Sequence, residues 1–317
     1  MRLAVVTWAI RAISSEAEFF DHMTELVESA VAQGADTVIL PESIDLERTQ
    51  LFGDFRVDPF INPTLEGSGH PEGEENLGVP IPSGSGQNRL SDQEIPRALA
   101  PGFDATVSHA DHLSRKHGIT LLAGTHLRKS ERGYVNTAIL ATPTRTYLAD
   151  KNVMTQWEET EWRIEPGSGL VAIGEPPIGI AICYDIEFPG AARALAEAGC
   201  HLIAVPSFTE TIRGFHRVRR TCHARTIECQ VYVAHASLVG NLGGEPVPHT
   251  YGSSAILCPS VHPFPESGIL AETPAGVESI AVADLDFTLI EQGRNADDVR
   301  NWRDRDKGDW VIRNQVL

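Results

Sequence analysis

The segment IGIAICYDIEFPG, residues 178–190, joins an apolar stretch, a cysteine and a polar turn. The run IGIAI predicts a buried strand that ends at Cys183, and AARALAEA (191–198) predicts a helix soon after it. A turn between a strand and a helix can present a side chain at the carboxyl edge of a sheet, close to backbone N–H groups. A helix N-terminus also lowers the pKa of a thiol, which favours a reactive thiolate at Cys183. A free cysteine more commonly packs as a small apolar residue, so both interpretations stay open.

Two charged side chains follow other predicted strands. Glu42 comes after DTVIL (36–40) and a proline, and Lys151 ends the strand region TRTYLAD (144–150). Each of them alone is an ordinary solvated loop residue by default. Their shared placement at strand ends means that both could meet Cys183 at one edge of a sheet. A nucleophilic thiol needs a base and a group that stabilises an oxyanion, and a carboxylate and an ammonium can supply these.

Strand and helix patterns alternate along the chain without an internal boundary. Strands are predicted at 2–8, 36–40, 119–125, 134–150 (a pair), 178–182, 201–205, 231–238, 252–257, 268–272 and 279–284. Helices are predicted from Ser15 to Gly34 and over 104–117, 191–198 and 214–230. The mixture predicts one α/β domain over residues 1–285, in which helices cover sheet layers. Residues 286–317 form a C-terminal extension, which is a candidate for a subunit interface.

Residues 51–102 differ from the rest of the chain in composition. They hold seven prolines and eight glycines in 52 residues, with eight acidic and three basic side chains. This composition predicts a long insertion without regular structure. A loop of this length inside a domain is either a lid or binding loop, or a solvated surface insertion. Both interpretations stay open.

The charge and cysteine content exclude several classes of protein. The chain has 26 basic and 43 acidic residues, for a net charge of −17, and a surface this acidic repels nucleic acid. No apolar run approaches the roughly 18–20 residues of a membrane span. The five cysteines of the chain include no CxxC pair, which is typical of a cytoplasmic protein with free thiols.

Three blocks of the sequence resemble the signature blocks of the nitrilase, or carbon–nitrogen hydrolase, superfamily. They are LPES at 40–43, YLADKNVMTQWEETEW at 147–162 and GIAICYDIEFPG at 179–190. Further similarity occurs at YVNTAIL (134–140), ARTIECQVYV (224–233) and GSSAIL (252–257). The resemblance implies a four-layer α-β-β-α sandwich with a Glu–Lys–Cys active site and with no metal and no organic cofactor. Many relatives carry an acid where this chain has Gly190, and the insertion at 51–102 is longer than in compact relatives.

The resemblance also implies a role for each candidate residue. Glu42 would be the general base, Cys183 the nucleophile, and Lys151 with the backbone N–H of Tyr184 would stabilise the tetrahedral oxyanion. The family carries a second glutamate after the lysine, and alignment favours Glu158 for that position. Glu159 and Glu161 are the alternatives for that position. It also stays open that the segment is only an acidic surface loop.

The resemblance favours hydrolysis of an amide or carbamoyl bond in a small substrate, with a nitrile less favoured. Three alternatives stay open: an N-acyltransferase that uses the same acyl-enzyme, a Cys–His hydrolase, and a non-catalytic binding protein on this scaffold. The family also implies a homodimer or a higher homo-oligomer.

A basic cluster, RGFHRVRRTCHAR (213–225), interrupts the acidic chain. Arg213, Arg217 and Arg220 share a helical face by their spacing. The cluster can be a solvated or subunit-contact face, or it can bind a carboxylate of the substrate. The twelve histidines, His216 and His223 among them, show no metal-binding spacing such as HExxH.

Overall fold

Two β-sheets pack face to face between layers of helices. The computed structural model describes residues 1–52, 90–241, 250–295 and 299–308. The strands are β1 (Arg2–Ala9), β2 (Thr37–Ile39), β3 (Thr120–Ser130), β4 (Gly133–Ala141), β5 (Thr146–Asp150), β6 (Val171–Ile173), β7 (Ile178–Ile180), β8 (Leu202–Ser207), β9 (Tyr232–Val239), β10 (Ala255–Leu257), β11 (Ile269–Glu272) and β12 (Ser279–Asp284). The helices are α1 (Glu16–Ala32), α2 (Ile95–Leu99), α3 (Phe103–His117), α4 (Pro189–Glu197), α5 (Ile212–Cys229), α6 (Phe287–Asn295) and α7 (Asn301–Asp304).

The order of strands places the two halves of the chain in different sheets. The first sheet runs β12–β1–β2–β3–β4–β5, and the second runs β11–β10–β9–β8–β7–β6. The central strands of each sheet are parallel, so their carboxyl ends lie at one edge. Trp8 and Ala9 of β1 also pair with Leu238 and Val239 of β9, which joins the sheets at one end.

Alternation along β1 shows how the layers are built. Leu3 and Val5 belong to an apolar cluster shared with β7, β8 and β9 of the second sheet. Ala4 and Val6 point the other way, into a cluster with α1 and α3. Because successive side chains of a strand face opposite sides, β1 has helices on one face and the second sheet on the other. Helices α4 and α5 pack on the second sheet. The four-layer α-β-β-α sandwich expected from the sequence is confirmed.

The expectation of an irregular segment over 51–102 is wrong for its last part. Residues 90–102 contain two short 3₁₀ turns and helix α2. Ile95 is fully buried and Leu99 is 1% exposed, both in the cluster beneath α1 and α3. The two positions are four residues apart and therefore lie on one face of a helical turn. The neighbouring glycines and prolines gave the segment the composition of a loop, so this short helix was not predicted. Residues 53–89 lie outside the described residues.

The chain after residue 285 begins with α6. Its Ile290 is fully buried in the cluster of the second sheet. The division at residue 285 and the place of the extension in a subunit interface stay predictions.

Candidate active site

Three strand ends place Glu42, Lys151 and Cys183 at one cleft. Glu42 lies just after β2, and Lys151 directly follows β5, so both come from the first sheet. Cys183 lies just after β7 of the second sheet and begins a 3₁₀ turn, Cys183–Glu187. All three line one cleft, which opens to solvent. The sequence-predicted residues are therefore brought together across the two sheets.

Lys151 is the centre of a buried ion-pair network. Its Nζ atom lies 2.9 Å from Glu42 Oε1 and 2.7 Å from each carboxylate oxygen of Glu158. The side chains of Lys151 and Glu42 are each 2% exposed. An ammonium has three donors, and these contacts use all of them.

Glu158 is the acid of the WEETEW segment that contacts the lysine. It lies in a one-turn π-helix, Glu158–Trp162, and is 5% exposed. The backbone N–H and the hydroxyl of Thr155 donate to Glu158 Oε2 at 2.8 and 2.9 Å. Glu159 is exposed and Glu161 is half-buried with a contact to Thr160. Thr155 therefore orients Glu158 towards Lys151.

Glu42 and Cys183 share an anchor in the peptide backbone. Asn136 Nδ2 donates to Glu42 Oε1 at 2.9 Å, and the backbone N–H of Phe208 donates to Glu42 Oε2 at 2.9 Å. The carbonyl oxygen of Phe208 accepts from Cys183 Sγ at 3.4 Å. Phe208 directly follows β8. One residue of the second sheet thus fixes both the carboxylate and the thiol.

Burial sets the protonation of these groups. Burial raises the pKa of Glu42, and the Lys151 charge opposes that rise. Burial alone would lower the pKa of Lys151, but Glu158 and Glu42 together hold it above its ordinary value. Burial also raises the pKa of the Cys183 thiol well above its ordinary value, and the Glu42 charge adds to the rise. A carboxylate with a raised pKa beside a neutral thiol is placed to accept its proton.

The pKa of the Cys183 thiol is thus raised, whereas a helix N-terminus would lower it. The expectation of a reactive thiolate rested on a helix N-terminus next to the cysteine. The cysteine is followed by the 3₁₀ turn, and α4 begins only at Pro189. Desolvation in the low-dielectric interior outweighs the remaining backbone dipoles.

Asp185 joins the cysteine turn to the chain segment that follows Lys151. Its carboxylate accepts from the backbone N–H groups of Asn152 (3.2 Å to one oxygen) and Val153 (2.8 Å). It also accepts from the N–H of Ile182, the residue before the cysteine, at 3.2 Å. Asp185 is 1% exposed. Buried charge-assisted bonds of this kind fix the position of backbone segments, here the two that carry the lysine and the thiol.

The cysteine turn itself has an uncommon backbone. Cys183 has φ +47°, in the left-handed region that non-glycine residues rarely adopt. Ser43, which follows Glu42, has φ +55°. Such conformations cluster at active sites and ligand clamps. Tyr184 follows Cys183 in the turn and lines the cleft.

Beyond these groups, the lining of the cleft includes aromatic residues, one charged pair and Glu210. Trp157, Trp162 and Phe208 are among the lining residues. Arg217 of α5 and Glu187 also line the cleft, and Arg217 Nε lies 2.8 Å from both carboxylate oxygens of Glu187. No histidine is found among the described residues that line the cleft.

Two features are absent from the described residues. No group of three His, Cys, Asp or Glu side chains is arranged to hold a metal ion. None of the helices has both the length and the apolar character to cross a membrane.

Comparison with known families decides the classification. The family model for carbon–nitrogen hydrolase matches residues 2–295. The chain belongs to the carbon–nitrogen hydrolase family. Probable hydrolase YhcX of Bacillus subtilis is 32% identical over 197 residues, which cover 61% of this chain and 38% of the relative. Omega-amidase NIT2 of Danio rerio is 24% identical over 305 residues, 92% of this chain and 91% of the relative.

Solved structures of other carbon–nitrogen hydrolases share the fold. Saccharomyces cerevisiae Nit3, a member of branch 10 of the nitrilase superfamily, aligns with a TM-score of 0.69 and 21% identity, covering 96% of each chain. An amidase from Nesterenkonia sp. AN1, solved with butyramide, aligns with a TM-score of 0.65 and 19% identity. That alignment covers 93% of this chain and 94% of the other. At this level of identity the similarity shows the fold.

Sequence reasoning missed three residues of this carbon–nitrogen hydrolase site. Asn136 and Asp185 lie inside the similar blocks YVNTAIL and CYDIEFPG, but no role was expected for them. A polar residue within each apolar block was the available signal, because buried polar groups are normally hydrogen-bonded. Phe208 acts through its backbone, so its side-chain type gave no signal at all.

Proposed function

We propose that the protein hydrolyses a carbon–nitrogen bond, an amide or carbamoyl group, of a small substrate through a thioester on Cys183. The observation that carries the proposal is the buried contact of Glu42 with Lys151 in the cleft that Cys183 lines. The family supports carbon–nitrogen hydrolysis in general, and the geometry supports the assignment of residues. Nitrile hydrolysis is the less favoured activity on the same groups.

In the first step Glu42 accepts the thiol proton as Cys183 Sγ attacks the carbonyl carbon. The raised pKa of Glu42 suits it to hold that proton, and the attack avoids a free thiolate in a buried site. The carbonyl oxygen gains the negative charge. Protonation of Glu42 frees one donor of Lys151, which stabilises this charge together with the backbone N–H of Tyr184, because donors already fixed in place need little reorganisation.

In the second step the carbon–nitrogen bond breaks and the amine leaves with the proton from Glu42. The products are a thioester on Cys183 and the free amine. Glu42 then accepts a proton from water as the water attacks the thioester, and the thiol regains a proton when the acid leaves. Glu158 keeps Lys151 in position through both steps.

The solved relatives support this chemistry. One structure of the Nesterenkonia amidase shows the acetamide moiety of fluoroacetamide added covalently at its active site cysteine. Another holds butyramide. The curated relatives include deaminated glutathione amidase of Homo sapiens, 33% identical over 126 residues that cover 38% of each chain. Small amides are therefore the first substrates to test.

The test is detection of the acyl-enzyme. Intact-mass spectrometry of an acid-quenched turnover mixture is expected to show one added acyl group, which peptide mapping places on Cys183. Cys183→Ala is expected to lose both the adduct and ammonia release. A competing amine separates hydrolysis from acyl transfer: an N-acyl product that exceeds the free acid would make the protein an acyltransferase. Retained activity in Cys183→Ala on a verified substrate would refute the thiol mechanism.

We also propose a cytoplasmic location and a homodimer or higher homo-oligomer. All five cysteines are free and buried, which supports a reducing compartment. The chain uses no metal, organic cofactor, nucleic acid or membrane in this proposal. Light scattering is expected to report a particle larger than the 34.5 kDa of one chain.

A further inference from the structure

One charged pair in the cleft has no part in the proposed chemistry. Arg217 donates its Nε to both oxygens of Glu187 at 2.8 Å. The Glu187 side chain is 12% exposed and the Arg217 side chain is 55% exposed. Within the described part of the chain, no hydrogen bond involves the terminal Nη1 or Nη2 of Arg217. The guanidinium is thus fixed at its inner nitrogen, and no described residue bonds to its outer edge.

The pair is supported by a second, buried arginine. Arg225 is 3% exposed, and its Nε and Nη2 donate to the carbonyl oxygens of Ile186 and Glu187 at 3.1 and 3.0 Å. These bonds hold the backbone of the cysteine turn against α5. Glu187 therefore lies in a fixed turn, and Arg217 lies in the helix that packs against that turn. A rigid support of this kind reduces the entropy lost when a ligand binds.

An inventory of the charges in the cleft shows what Arg217 can do that the others cannot. The three donors of Lys151 are used by Glu42 and Glu158. Four acidic residues line the cleft: the carboxylates of Glu42, Glu158 and Glu187 each accept bonds from neighbouring donors, and Glu210 is the fourth. Arg217 is the lining cation, among the described residues, with donors left over. Two parallel N–H groups of a guanidinium match the two oxygens of a carboxylate.

The three arginines of the basic cluster that were expected on one helical face have different surroundings in the structure. Arg217 lines the cleft. Arg213 and Arg220 are exposed elsewhere on α5. Arg217, Cys183 and Tyr184 all line the same cleft. A substrate whose amide carbon reaches Cys183 can therefore extend its other end towards Arg217.

We propose that Arg217, held by Glu187, binds a carboxylate of the substrate, so that the preferred substrates are amides carrying a carboxylate at the far end of a short chain. The net charge of −17 belongs to the whole chain, and exposed charges farther than about 8 Å from Arg217 are largely screened at physiological salt. The proposal rests on the proposed amide hydrolysis. Arg217 determines specificity and takes no part in bond breaking.

The test compares paired substrates. Monoamides of linear dicarboxylic acids with four to six carbons are each measured against the neutral amide of the same length. The wild type is expected to prefer the charged amide by at least about 10-fold in kcat/KM. Arg217→Gln is expected to lower that selectivity ratio about 10- to 100-fold, mainly through KM, because an oriented charged partner is lost. Arg217→Lys is expected to restore part of the ratio, since it keeps the charge and loses the fork.

Arg220→Gln is the matched control. It removes the same charge from the same helix at an exposed position and is expected to leave the ratio unchanged. An Arg217→Gln ratio equal to that of the wild type, or a wild type that prefers the neutral amide, would overturn the proposal while amide hydrolysis stands.

Binding separates this proposal from the proposed function. Calorimetry with Cys183→Ala and the same monoamides measures recognition without turnover. If the wild type hydrolyses none of the amides, Arg217-dependent binding still supports the carboxylate site. Binding that is equal with and without the Arg217 side chain, or absent in both, overturns it.

Discussion

Replacing Glu42 by Gln keeps the shape of the side chain and removes its charge. In the protein both oxygens accept bonds: Oε1 from Lys151 and Asn136, and Oε2 from the N–H of Phe208. A carboxamide has one acceptor oxygen and one NH₂ group. Whichever way it turns, the NH₂ group faces a donor, so at least one buried bond is lost.

The expected cost to stability is small. One unsatisfied buried donor costs about 1–3 kcal/mol of unfolding free energy. Against this cost, one of the two carboxylates around the single ammonium of Lys151 becomes neutral. The desolvation penalty of that buried charge, which is several kcal/mol in typical proteins, is then removed. The two terms oppose each other, and Tm is expected to move by only a few degrees. Turnover is expected to fall about 10²- to 10⁴-fold, because the general base is gone.

The same substitution is expected to make the Cys183 thiol easier to alkylate, although it lowers turnover. The Glu42 charge raises the pKa of Cys183, so its removal lowers that pKa. The alkylation rate of Cys183 by iodoacetamide, measured from about pH 7 to 11 by mass spectrometry, is expected to reach its midpoint at a lower pH in Glu42→Gln. Alkylation and amide turnover then change in opposite senses.

Glu159→Gln is the control for this experiment. It makes the same chemical change at an exposed position one residue from Glu158. It is expected to alter neither the alkylation profile nor the turnover. Turnover within about threefold of wild type in Glu42→Gln, or an alkylation midpoint that moves to higher pH, would refute the reasoning about this site.

Three further predictions concern Asp185, Ile95 and the segment 53–89. Asp185→Asn is expected to lower kcat about 10²-fold, because part of the clamp between Cys183 and the segment after Lys151 is lost and misplacement by about 1 Å has effects of this size. Steady-state kinetics and a thermal melt measure the effect, with the exposed Asp284→Asn as the control. Full activity of Asp185→Asn would show that the clamp is dispensable. Ile95→Ala is expected to lower the free energy of unfolding by about 2–5 kcal/mol in a denaturant titration, since a fully buried side chain is removed. Replacing residues 53–89 by a short Gly/Ser linker is expected to change relative rates across substrates and to leave Tm within a few degrees. A linker variant less stable than Ile95→Ala would contradict both predictions.

The strand ends of this fold were readable from the sequence because their pattern is local. Apolar runs followed by Glu42, Lys151 and Cys183 gave both the sheets and the candidate residues. The resemblance to a family then selected Glu158 over its neighbours, and the structure places that residue against Lys151. Burial and alternation, which are properties of short segments, were sufficient for this part.

Other features depended on contacts between distant segments. The raised pKa of Cys183 could not be read locally, because it depends on how deeply both sheets bury the thiol. The choice of Arg217 from the basic cluster required the position of the cysteine turn against α5. Ile95 and Leu99 were hidden in a segment whose average composition is that of a loop, and two apolar residues in one helical turn are too few to form a clear period.

The division of the site between the two sheets has a consequence for refolding. The carboxylates and the ammonium come from residues before 163, and the thiol and the Phe208 peptide come from residues after 182. The bond between Phe208 and Glu42 spans 166 positions of sequence. Contacts this distant form late, since the closure of the intervening chain must come first. A chain with its helices and strands already formed therefore still holds an ordinary, solvated thiol, and the abnormal alkylation profile of Cys183 marks the moment at which the two sheets dock.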